Sequence, residues 1–132
     1  MLVDHLSEAW LTAVDRELAD RDRLRDVAGR CALGLTQVVT GEGATLTYHI
    51  TSHGGAVRAG WGSAEPEDVR VTGDVATVRA IAAGRRNAKE AFITGQVTVT
   101  GDQPRLLAAL DLLAALDDVM ATVAARTRFD DA

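Results

Sequence analysis

Val69-Arg70-Val71-Thr72-Gly73-Asp74 returns 28 residues later as Val97-Thr98-Val99-Thr100-Gly101-Asp102. Each copy alternates apolar and polar residues, as a half-buried strand does, then offers a glycine to turn on and an aspartate to cap a following helix. Between the copies, Val75, Val78, Ile81 and Ala82 mark one helical face that stops at Gly84. Asn87-Ala88-Lys89-Glu90 then has capping-box spacing and leads into Ala91, Phe92 and Ile93 before Gly95. Two strands joined by two helices predict a crossover, with the copies parallel and the connection right-handed. Upstream, Cys31, Leu33, Leu35, Gln37 and Val39 share one face of a strand, Leu46, Tyr48 and Ile50 a face of the next, and Val57, Ala59 and Trp61 a face of a third. The turn residues Gly41-Glu42-Gly43 and His53-Gly54-Gly55 join these three into an antiparallel meander with one oily side.

The ends of the chain read as helices. Asp4 is the expected N-cap of the first, with Leu6, Trp10, Val14 and Leu18 along its apolar face. A short second helix is predicted over Asp20–Asp26, where acids and bases alternate, closing at Gly29. Leu106, Leu110, Leu113, Leu116, Met120 and Val123 predict one long closing helix with Pro104 in its first turn. The fold class is therefore α+β: a single domain over residues 1–132, with helices covering one face of a five-stranded mixed sheet and the other face wet.

Composition removes several functions. The 132 residues carry 19 acidic against 14 basic side chains, a net charge of −5, which opposes long-range attraction to nucleic acid or an anionic membrane surface. One cysteine and three histidines without ligand spacing give no metal site, and no phosphate loop or nucleophile elbow implies a cofactor, so none is expected. Asp4, His5 and Glu8 within the first ten residues predict that no signal peptide is present, and no apolar run predicts a membrane-inserted segment. With a lone thiol, the protein is expected in the cytoplasm. Its 23 alanines and five aromatic residues make the apolar volume from small side chains. Two polar residues interrupt apolar stripes: Gln37 beside Leu33 and Leu35, and Asp117 close on the helical wheel to Leu106 and Leu110.

The ordered pattern from Val57 to Met120 resembles the lipid-binding domain of the type-two sterol carrier protein family, with Gly73-Asp74, Gly84, Asn87, Ala91-Phe92, Gly95 and Gly101-Asp102 at the matching places. Ala88 stands where the family often has proline, Gln96 where a basic residue is common, and the ending Asp130-Asp131-Ala132 lacks the peroxisomal address of eukaryotic members. Alanine- and arginine-rich composition with a single lysine fits a bacterial source. The resemblance implies an apolar tunnel between sheet and helices that holds a sterol, fatty acid or acyl-CoA without catalysis. The candidate wall is Leu33, Leu35, Leu46, Tyr48, Ile50, Trp61, Ile81, Phe92, Leu106, Leu110, Leu113 and Met120, with Tyr48 and Gln37 as polar contacts; plain core packing is the competing reading of each. Two further readings stay open. One is a small enzyme using the same cavity through His49, His53, Asp117 or Tyr48. The other is an interaction module, or a homodimer, formed through the leucine face of the last helix.

Overall fold

The computed structural model describes residues 3–29, 32–41, 44–86 and 88–128, apart from the side chains at 23, 28, 44, 88, 89, 92, 110, 113, 114 and 117. In chain order the elements are β1 (Val3–Asp4), α1 (Glu8–Asp20), α2 (Asp22–Ala28), β2 (Leu33–Gly41), β3 (Ala44–His53), β4 (Ala56–Trp61), β5 (Val69–Asp74), α3 (Val75–Ala82), α4 (Ala88–Ile93), β6 (Val97–Gly101), α5 (Gln103–Ala108), α6 (Leu110–Ala124) and β7 (Thr127–Arg128). Strands β2 to β6 form one mixed sheet in the order β4-β3-β2-β5-β6. The meander forms as expected, with β3 antiparallel to both β2 and β4. Gly54 and Gly55 both take positive φ, 60° and 85°, which a two-residue hairpin turn demands and glycine tolerates.

The repeated strands do not run parallel. β5 and β6 are adjacent and antiparallel, pairing Val71 with Val99. The reason is parity: a strand followed by two helices reverses direction three times, so β6 enters the sheet at the end where β5 left it. The parallel pair is instead β2 with β5. Its crossover is the stretch from residue 62 to 68, which returns over the face opposite the helices. There the Pro66 carbonyl covers Gly34, where a Cβ would lie 1.8 Å from that oxygen, and the Ala64 amide donates to Thr36 Oγ1 at 2.9 Å. Asp68 accepts from the Gly34 amide at 2.7 Å. Thr36 is consequently 0% exposed, so the face expected to be wet is covered at this end.

Helices cover the other face. α1 buries Trp10, Leu11, Val14 and Leu18 and packs on β4, while α3 lies on β2 and β5 and α4 on β6. The N-cap of α1 is Ser7 rather than Asp4: Ser7 Oγ accepts from the Trp10 amide at 3.1 Å, and Asp4 belongs to β1, which pairs in parallel with β7. Leu6, with φ of 65°, lies in the turn before the helix instead of on its face. The edge of β4 is closed by Asp15, whose carboxylate accepts from the Ala59 amide at 2.8 Å and from Arg58 Nε and Nη2, each at 2.9 Å. The closing helix is broken at Ala109, where φ is −100° and ψ 17°, into α5 and α6. After the break the buried stripe is Leu112, Leu116, Val119 and Val123, and α6 packs mainly on α1 and α2. Asn87 and the Glu42-Gly43 turn lie outside the described residues.

Candidate functional site

Strand register places Trp61, Tyr48, Gln37, Val71 and Val99 in one line across the sheet, from β4 to β6, on the side the helices cover. The flanking line toward Gly73 is shut: Val39 and Val97 are buried, and the methyls of Val78 and Val97 sit 3.3 and 3.0 Å from where a Gly73 Cβ would be. On the other side Ile50 and Val69 are buried. Between them Gln37, Val71 and Val99 remain half-buried, as does Leu35. Gln37, Val71 and Val99 thus keep part of their surface accessible on the side of the sheet that carries the helices.

The candidate wall divides accordingly. Leu35, Leu46, Leu106 and Met120 are partly buried and packed against the core, and Ile81 is also half-buried. Leu33, Tyr48 and Ile50 are core residues. Trp61 is 42% exposed at the sheet edge. The side chains of Phe92, Leu110, Leu113 and Asp117 lie outside the described residues. A separate open depression of about 480 Å³ on the outer side of α1 is lined by Val3, Glu8, Ala9, Thr12, Ala13 and Arg16 and shares no residue with this wall.

The polar groups have distinct surroundings. Gln37 Nε2 donates to the carbonyls of Val38 and Val71, each at 3.2 Å, so its half-buried amide is held by backbone. Tyr48 meets Trp10 edge-on with ring centroids 5.5 Å apart, and Trp10 meets His5 the same way at 5.0 Å. Burial pushes the Tyr48 phenol well above its usual range, so it stays protonated at physiological pH. Burial, and secondarily the positive charge of Arg79, lowers His5 to about 4, leaving it neutral at pH 7. His49 bonds the Gly62 carbonyl through Nδ1 at 3.1 Å on the opposite face, and His53 is exposed in its turn. Among the described residues no three metal-ligating side chains cluster.

Trp10, Val71, Val99, His5 and Arg79 were not among the candidate residues. Arg79 had a visible signal, since on the helical wheel it flanks the apolar stripe of Val75, Val78 and Ala82. Val71 and Val99 had none, because partial burial depends on the distance between layers.

A family model described as the SCP-2 sterol transfer family matches residues 8–114. Among curated proteins no sequence match is found. Several solved structures share the fold. A crystal structure of sterol carrier protein 2 aligns with a TM-score of 0.70 and 24% identity, over 89% of this chain and 98% of that one. A conserved hypothetical protein from Thermus thermophilus aligns at 0.66 and 24% identity, over 92% and 88%. Sterol carrier protein 2 from Yarrowia lipolytica, in its apo form, aligns at 0.61 and 15% identity, over 86% and 88%.

Proposed function

The chain belongs to the SCP-2 sterol transfer family, and from that premise we propose that it binds and carries a hydrophobic small molecule, a fatty acid, acyl-CoA or sterol-like compound, in the layer between sheet and helices, without catalysing a reaction. The observation that carries this reading is the half-buried line Gln37–Val71–Val99 on the helix-covered face, with Leu35 beside it on β2 also half-buried. An alkyl chain laid along that line exchanges water contact for apolar contact at about 25 cal/mol per Å² buried. Tyr48, Ile50 and Trp10 form the solid floor beside it.

The groups that an enzyme would need are dispersed. His49 and His53 lie away from the line, and burial raises the Tyr48 phenol above its usual range. No helix among the described residues is long and apolar enough to cross a membrane, and we place the carrier in the cytoplasm, with its partner a small molecule rather than nucleic acid. Native mass spectrometry of the purified protein, before and after incubation with palmitate, tests the reading. A protein-lipid adduct of one-to-one mass supports it. Absence of any adduct with palmitate, palmitoyl-CoA or cholesterol overturns it.

A further inference from the structure

We propose that Arg79 anchors the carboxylate end of the ligand, which makes the preferred cargo an ionised fatty acid rather than a neutral lipid; this rests on the carrier reading above. Arg79 projects from α3, the helix that lies on β2 and β5, the strands that bear Gln37 and Val71. Its Nε is sealed from solvent and has no hydrogen-bond partner among the described residues. Arg21, Arg58, Arg70 and Arg105 each pair with a carboxylate, whereas no ion pair of the described side chains includes Arg79. Arg79 as a whole is half-buried, and a guanidinium cannot relieve its sealed Nε–H by losing the proton, so that donor stays charged and without an acceptor. A buried donor without an acceptor is costly, and the cost is larger for a charged group.

The neighbouring titratable group gives no relief. His5, on the turn before α1, is held neutral by burial and by Arg79 itself, and so supplies no negative charge. What would answer Arg79 is an anion arriving from outside. A carboxylate matches the guanidinium fork with two parallel charge-assisted hydrogen bonds, and its alkyl tail has the half-buried line on β2, β5 and β6 to follow. A methyl ester or alcohol of the same chain length buries the same tail but brings no charge to the head.

Competition titrations against a fluorescent fatty acid compare palmitate with methyl palmitate on the parent protein, Arg79→Gln and Arg79→Met. The parent is expected to bind palmitate at least 10-fold tighter than the ester. Both variants should lose that preference while ester affinity stays within about twofold. Equal binding of acid and ester by the parent overturns the anchor and leaves the carrier reading intact, and needs no variant to fold. A preference that survives in either folded variant, or an equal loss of both ligands, also overturns it. If the parent binds neither compound, both readings fall.

Discussion

Val71→Trp separates a partly open layer from a filled one. Val71 sits at the middle of the accessible line, paired with Gln37 on one side and Val99 on the other, and is half-buried although it faces the helices. Neighbouring strands are about 4.8 Å apart, so an indole reaching sideways from this position covers roughly one strand spacing, the length of about four methylenes of a bound chain. At about 0.8 kcal/mol per methylene the ligand forfeits about 3 kcal/mol, a loss on the order of 100-fold in affinity. Stability should move by less than about 1 kcal/mol, because the ring enters room that is already accessible. In a filled layer the same ring would be overpacked at about 1–3 kcal/mol. For a chain of this size that lowers Tm by about 3–5 °C per kcal/mol. Fluorescent fatty-acid titration and a thermal melt of the same sample read both quantities. A variant with parental Tm and parental affinity refutes the placement of the ligand. A large fall in Tm refutes the open layer itself.

Two stability predictions follow from charges held by the fold. Asp15→Ala leaves the edge amide of Ala59 without its acceptor, while the exposed Arg58 guanidinium returns to water, and should cost about 1 kcal/mol in urea unfolding. Arg58, through its hydrogen bonds, holds the Asp15 carboxyl below its usual range, so the parent keeps this contribution above about pH 3.8 and loses it as pH falls through the lower native value; an Asp15→Ala penalty unchanged between pH 6 and pH 2.5 would contradict that origin. His5 acts in a different window. Its native value of about 4 lies below the ordinary 6.5, so the unfolded chain takes up a proton first as pH drops. Stability is therefore full above about 6.5, declines toward 4, and is flat for this group below that, with an amplitude of about 1–2 kcal/mol once solvent screening is allowed for. His5→Phe should flatten the decline between pH 6.5 and 4 in denaturant titrations, and a parental slope in that variant would count against it.

Most of the sheet could be read from its residues because a period of two assigns a face to every side chain, and the register then stacks Leu35 on Ile50 and Tyr48 on Trp61 as the alternation requires. Direction is another matter: Val69–Asp74 and Val97–Gly101 look the same whether they run parallel or antiparallel, and the alternation within each strand carries no sign of it. The break at Ala109 is equally silent, since alanine is a good helix former and the leucine spacing continues through it. Ser7 and Asp4 are both capping residues three positions apart, so chemistry alone does not choose between them. Gly34 did carry information, because a glycine inside a strand often marks a close backbone approach, here that of Pro66.

The site is harder to read than the fold for a physical reason. A carrier wall and a core are built from the same side chains, and they differ only in whether the facing layer fills the space between. Polar residues inside apolar stripes are the exception, because a buried polar group must be answered by something. Gln37 is answered by the carbonyls of its own sheet, which makes it part of the scaffold. Arg79 is half-buried, and its sealed Nε is answered by nothing among the described residues. The same rule applied to two residues thus separates structure from binding: the intruder whose hydrogen bonds close within the protein stabilises the fold, and the one whose bonds stay open points to what the protein holds.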